Sequence, residues 1–357
     1  MSVKLQVMTE NSVSTVVSNG VSTSVPTGMT RLLGINLPII GAPMFLVSNV
    51  EMVVAISEAG GIGTFPALNY RPIEKYREAL SEMKKRTKKP IGVNVIVNKS
   101  NTRQNEDIKI ALDHGVELFI TSLGSPASVI RDAHKNGAKV FCDVTNLEHA
   151  KKVADLGADG LVAVGTGAGG HAGPISPLVL VPWLAREMKI PVILAGGVAH
   201  GSQIAAALAL GASGVHIGTR FIASTEAGVD QAYKRAVVDA TPEDIVMTTR
   251  VSGTPAAVIN TDYVKKIGTD LPLALRILKE HPLTKKYAVP LIHLLGMKSL
   301  EAAAVSAAGE KPTWKTVWSA GQSVGLIDEI MDCRLIVERL MAEYEAAVQS
   351  LPRAGRL

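Results

Sequence analysis

The feature that most constrains this chain is a repeat. From Arg31 to about Thr241 one unit recurs: a short apolar run, a loop, an amphipathic stretch of helical period, a glycine, and the next apolar run. The runs are Leu37–Pro43, Gly60–Phe65, Ile91–Val97, Glu117–Ser122, Lys139–Val144, Gly160–Gly165, Val192–Gly197 and Gly214–Arg220. They are β-branched and nearly free of charge, as strands covered on both faces must be. Gly115, Gly137, Gly157 and Gly211 sit where a helix hands over to the following strand, a position that calls for a left-handed backbone. Strand, helix, glycine, strand is the pattern of parallel strands joined by crossovers. Eight such units predict an α/β chain folded as a closed TIM (β/α)8 barrel. An open doubly wound sheet is the alternative, weakened because no G-x-G-x-x-G follows the first run.

Outside the repeat the pattern changes. Residues 1–30 include the polar stretch "SVSTVVSNGVSTSVPTG" and read as a flexible N-terminal leader; with no apolar h-region, they do not make a signal peptide. The barrel is expected over residues 31–243 and 313–357. Between them, residues 244–312 hold helical stretches such as "LPLALRILKEH" and "SLEAAAVSAAGE" but no clear strand, and read as an inserted helical subdomain.

With 47% apolar residues in 357, the chain can bury a large core. The net charge of +5 is mild, and the basic run "MKKRTKK" has no aromatic residues interleaved, so a nucleic-acid partner is not expected. Two distant cysteines, Cys142 and Cys333, exclude a disulfide framework and a structural zinc site and favour a reducing, cytoplasmic setting. No metal is expected, and no run reaches the roughly 18 uncharged apolar residues of a membrane span.

The chemistry is expected at the C-terminal ends of the strands. After the sixth run the chain reads "LVAVGTGAGGHAGPISP" (161–177), with Gly167, Gly169, Gly170 and Gly173 around a single titratable residue, His171. A loop this bare gives up backbone entropy unless something must approach its main chain closely. The seventh and eighth runs end in "AGGVAHGS" and "GTRF", where Gly196, Gly197, Gly218 and Thr219 offer backbone N–H groups and a hydroxyl to a phosphate; ordinary tight turns are the alternative. Asn94 interrupts the apolar third run, and its amide needs either a neighbouring backbone group or the polar edge of a ligand. A flat, phosphorylated, mostly apolar ligand fits this distribution, and FMN is one.

Seven motifs in order, "GAPMFLVS", "EAGGIGTFPA", "GVNVIV", "AGGHAG", "ILAGGVA", "GASGVHIGTRF" and "WSAGQSVGLID", closely resemble the nitronate monooxygenase family, over roughly residues 31–331. The resemblance implies an FMN-dependent TIM barrel, in a superfamily with flavin-dependent enoyl-ACP reductases and NADH:quinone reductases. It implies that Ala42, Pro43 and Met44 line the flavin, that Asn94 bonds it, and that Ser122 and Gly170 lie beside it. Gly196, Gly197, Gly218 and Thr219 are implied around the phosphate, Gly321 and Gln322 close over the site, and His171 is the implied catalytic histidine. The chain departs from relatives at Val164, where many carry glutamine, at Gly167 and Ala168, and at Asp143, where some carry lysine.

Three activities follow as expectations. The first is oxidation of alkyl nitronates by O2 to carbonyl compounds and nitrite. His171 would bind the nitronate oxygens when protonated, or take the α-proton of a neutral nitroalkane when neutral. The second is NAD(P)H-dependent reduction of enoyl thioesters or quinones. The third is a barrel that binds a phosphorylated ligand without redox chemistry. A homodimer is left open.

Overall fold

A computed structural model describes residues 24–98, 101–250, 253–271 and 316–352 of the chain. At its centre lies a closed barrel of eight parallel strands, one from each apolar run. They are β1 (Ile39–Gly41), β2 (Ile62–Pro66), β3 (Ile91–Ile96), β4 (Leu118–Ser122), β5 (Lys139–Val144), β6 (Gly160–Val164), β8 (Val192–Ala195) and β9 (Gly214–Ile217). The closing pair sets Ile40 of β1 opposite His216 of β9. Helices α2 (Val50–Glu58), α3 (Ile73–Arg86), α4 (Gln104–Asp113), α5 (Ala127–Lys135), α6 (Leu147–Asp155), α7 (Pro177–Glu187), α8 (Gly201–Ala209) and the single turn α9 (Thr219–Ile222) follow successive strands. The fold is the TIM barrel that the repeat predicts. Gly115, Gly137, Gly157 and Gly211 have φ of +67°, +77°, +95° and +93°, the left-handed turn expected where each helix ends.

Side chains alternate along each strand, so one set fills the barrel and the other meets the helices. Inward-facing Ile40, Ile62, Leu118, Ile120, Phe141, Val162 and Ile193 form one buried cluster. Outward-facing Val93, Phe119, Val140, Leu161 and Val215 join the helices in the larger core.

Two boundaries differ from the sequence reading. Residues 24–30, expected within the leader, belong to the packed barrel. Helix α1 (Gly28–Leu33) is capped by Thr27, which exchanges hydrogen bonds with Thr30 in a reciprocal box, and the Thr27 hydroxyl donates to the Ser213 carbonyl at 2.6 Å. Met29, fully buried, joins the inward cluster and closes the N-terminal end of the barrel. A six-residue helix carries too little periodicity to stand out in sequence next to a polar stretch. Residues 1–23 lie outside the described residues.

The insertion is not purely helical. It begins with a hairpin, β10 (Ile245–Thr248) and β11 (Ala256–Ile259), followed by helix α11 (Asp262–Ile267). A two-residue strand, β7 (Gly170–His171), pairs with β11, setting Ala256 opposite His171 and Ala257 opposite Gly170. Four-residue strands give no readable period, and the third partner comes from a glycine loop without strand propensity. The helical stretches expected within 272–312 lie outside the described residues. Helix α12 (Cys333–Ser350) returns to pack against α8 and α2, completing the ring of helices.

Candidate active site

A cavity of about 1240 Å³ opens at the C-terminal end of the barrel. Its floor follows from the strand alternation. Two residues above the inward apolar layer, Ile120 gives way to Ser122 on β4 and Phe141 to Asp143 on β5, while β3 contributes Asn94. These three form a chain of hydrogen bonds. Asn94 Nδ2 donates to Ser122 Oγ at 2.8 Å and to the Ile120 carbonyl at 3.2 Å, and the Ser122 hydroxyl donates to Asp143 Oδ2 at 2.5 Å. Of the two partners weighed for Asn94, the Ile120 backbone carbonyl is present, and the Ser122 hydroxyl is a further side-chain partner.

Two polar atoms here have no protein partner: Asp143 Oδ1 and His216 Nε2. Burial pushes the Asp143 carboxyl up to about 6, opposed only by the Ser122 hydroxyl. Burial also pushes the His216 imidazole down to about 4, so that it is neutral at ordinary pH. Cys142 lines the cavity too, but desolvation holds its thiol up to about 12, and the Thr121 hydroxyl donates to its sulfur at 3.2 Å. It is not an activated nucleophile.

One wall of the cavity is mostly backbone. Gly167 to Ala172 line it, with Gly196 and Gly197 alongside. The glycines are there because three main-chain segments meet. A Cβ on Gly169 would lie 2.9 Å from the carbonyl carbon of Ala320 and the nitrogen of Gly321, and one on Gly321 would collide with the Gly167 carbonyl oxygen. A Cβ on Gly196 would fall 2.9 Å from the Ala168 nitrogen, at a φ of +112° that itself favours glycine. The bare loop after β6 is therefore explained first by close packing against residues 320–321 and 196–197. His171 extends from this layer at the rim; it is exposed, lines the cavity, and has its backbone held in the sheet by Ala256.

The remaining residues singled out in the sequence converge on the same mouth. Ala42, Pro43 and Met44 line the side above β1, and Gly218 and Thr219 the side above β9. Beyond β8, Gln203 braces the turn by accepting from the Ala199 and His200 N–H groups and donating to the Gly197 carbonyl. Gly321 and Gln322 are not on the wall. They stand behind it, where the Gly321 N–H donates to Thr219 Oγ1 at 3.0 Å and the Gln322 side-chain oxygen lies beside Gly167.

Sequence reasoning missed His216, Tyr233 and Trp318. The two aromatics stack with ring centroids 5.2 Å apart, and the Tyr233 hydroxyl donates to the Ser319 carbonyl at 2.5 Å, forming an aromatic side of the cavity. No local signal marks Tyr233, and Trp318 opens the motif "WSAGQSVGLID" without any sign of its stacking partner, because helix α10 (Gln231–Asp239) and the late segment meet only in the fold. For His216 the signal was present: "GVHI" places it on the same face as the inward glycine. Among the described residues, no cluster of His, Cys, Asp or Glu could hold a metal, and no helix is long and apolar enough to cross a membrane.

The family model for nitronate monooxygenase matches residues 27–343. A Mycobacterium tuberculosis protein named (3aS,4S,5R,7aS)-5-hydroxy-7a-methyl-1-oxo-octahydro-1H-indene-4-carboxyl-CoA dehydrogenase is 28% identical over 91% of this chain and 97% of its own length. The nitronate monooxygenase of Paraburkholderia phytofirmans is 31% identical over 62% of this chain and 73% of its own. Among solved structures, FabK from Thermotoga maritima superposes with a TM-score of 0.76 at 33% identity, covering 91% of this chain and 98% of that one. Nitroalkane oxidase from Streptomyces ansochromogenes superposes with a TM-score of 0.75 at 26% identity, covering 91% and 100%. The chain belongs to the nitronate monooxygenase family, a family of flavin-dependent oxidoreductases.

Proposed function

We propose that this protein is an FMN-dependent oxidoreductase that oxidises alkyl nitronates with O2 to carbonyl compounds and nitrite. One observation carries the reading: a single barrel-mouth cavity joins a flat, side-chain-poor wall to a hydrogen-bonding floor. An aromatic heterocycle needs such a pairing, an open face to lie against and a polar edge to bond. Met44, Pro43 and Ala42 supply apolar contact, Asn94 and Ser122 the polar edge, and the unpartnered Asp143 and His216 atoms are groups that a bound ring would satisfy. Gly196, Gly197, Gly218 and Thr219, at the ends of β8 and β9, are assigned to the phosphate. A Cβ on Gly197 would meet nothing within 4 Å, so the space beside that turn is free for an anion.

When bound, the flavin supplies the capacity to take electrons from the substrate and pass them to O2. The chain's own contribution is to place and charge the substrate. His171, exposed at the rim, donates a hydrogen bond to the nitronate oxygens when protonated, and accepts the α-proton of a neutral nitroalkane when neutral. The backbone pairing of His171 with Ala256 fixes the base of its side chain against the inserted hairpin.

A second reading, NAD(P)H-dependent reduction of an enoyl thioester or quinone, is favoured by size. The cavity of about 1240 Å³ exceeds the roughly 300–1,000 Å³ of a single-ligand site and would take a second extended molecule beside the flavin. The relative with the fuller overlap is named for a CoA-linked substrate, which points the same way. Purified protein should be yellow; a colourless one would leave only the non-redox reading. Ethylnitronate with O2, assayed against crotonyl thioester with NADH, then separates the two redox activities. In the first case His171→Asn should cost roughly a hundredfold or more on neutral nitroethane and less on the preformed nitronate. Equal losses would reduce His171 to positioning.

A further inference from the structure

Asp143 is the only carboxylate within the eight barrel strands. Its setting is unlike that of a structural acid. Oδ2 is taken by the Ser122 hydroxyl, itself fixed by Asn94, while Oδ1 is buried with no partner and the residue lines the cavity. A buried carboxylate retained for structure has both oxygens saturated or a cation beside it. Asp143 has neither. Its neighbours on β4, Thr121 and Ser122, are neutral, and those on β6, Val162 and Val164, are apolar. On β5 itself the adjacent ionisable group is Cys142, held protonated. The other titratable or charged groups around the cavity are Arg71, His149, Lys152, His171, His216, Asp230 and Tyr233, whose hydroxyl burial holds protonated.

We propose that Asp143 is the residue that takes up a proton when the bound flavin is reduced. This rests on the FMN reading above. Two electrons from a nitronate, a nicotinamide or a chemical reductant add negative charge inside the cavity. One proton from solvent then moves to the carboxylate, forming an O–H that can donate where a partner is missing. The physical cause is ordinary: a new negative charge in a poorly solvated pocket disfavours a nearby carboxylate, and burial has already brought Asp143 to about 6. The Ser122 hydroxyl, which stabilises the ionised form, sets the pH at which the uptake begins.

The test is a spectroelectrochemical titration of the yellow holoenzyme from about pH 5 to about pH 9, a range that brackets the carboxyl. The midpoint potential of wild type should fall more steeply with pH above about 6, by the increment of one extra proton. Asp143→Asn should lose that extra slope, whereas Ser122→Ala, which removes the stabilising hydrogen bond, should begin it at higher pH. Parallel lines for wild type and Asp143→Asn, whether superposed or offset, would overturn the proposal. If Asp143→Asn fails to hold flavin, Ser122→Ala decides, and an unmoved break overturns it. A wild-type protein that binds no flavin would remove the cofactor reading itself, and the proposal with it.

Discussion

The two ends of this barrel are built from the same strands and do opposite things. At the N-terminal end, Met29 plugs the opening and packs with Ile40, Ile62, Leu118, Ile120 and Phe141 in an inward apolar cluster. One pleat further along the strands, the inward positions become Asn94, Ser122, Asp143 and His216, and the closing layer is glycine backbone. The lesson concerns where stability is held. The closed end contributes burial, so the open end can carry orphaned polar atoms and a cavity.

Four measurements test that division. The largest effect is expected at the mouth. Gly321→Val puts a branched side chain against the Gly167 carbonyl and should abolish most flavin retention while leaving far-UV circular dichroism nearly unchanged. Global unfolding instead would mean that the glycine layer holds the barrel together. At the closed end, Met29→Ala should cost about 2–5 kcal/mol in urea unfolding, the usual range for emptying a buried site, with flavin content at saturation unaltered. Loss of flavin without loss of stability would reverse the assignment of roles.

The third measurement concerns the acid on the floor. The folded-state pKa of Asp143 is raised from 3.8 to about 6, so its protonation favours the folded state below 3.8 and that contribution is lost as pH rises through 6. In flavin-free protein, Asp143→Asn should therefore be more stable than wild type at pH 8, by at most about 3 kcal/mol at about 1.4 kcal/mol per pKa unit, with the gap closing toward pH 4. His216, depressed to about 4, acts in the opposite sense in acid, but equally in both proteins. A gap that does not vary with pH would show that the Asp143 carboxyl titrates in the folded protein as it does in the unfolded chain, with no burial penalty at the floor. The smallest effect belongs to Thr27→Ala, which removes the cap of α1 and should cost about 1 kcal/mol. No change would return residues 24–30 to the status of leader.

Much of this was legible without coordinates. The eight runs were readable because a strand covered on both faces must be apolar and short, and the helix-ending glycines because no other residue takes that turn so readily. Most of the mouth residues followed from one rule, that chemistry collects at the C-terminal ends of barrel strands. Asn94 and His171 were conspicuous as polar residues in apolar or bare surroundings. Asp143 was just as visible in "KVFCDV", yet its character depends on what lies around it. Burial, the Ser122 hydroxyl and the empty side of Oδ1 are properties of the packed barrel.

The barrel, the order of its strands and the family are written in the chain itself, because each rests on local periodicity or on residues adjacent in sequence. Tertiary structure alone decided that Met29 closes one end, that the inserted segment begins with a hairpin gripping the His171 loop, and that Tyr233 stacks on Trp318. It also decided what the glycines approach. Their packing partners, Ala320 and Gly321, come from about 150 residues away in the chain. Contacts between segments so distant leave no period in either of them, since each glycine is explained only by the backbone that arrives against it.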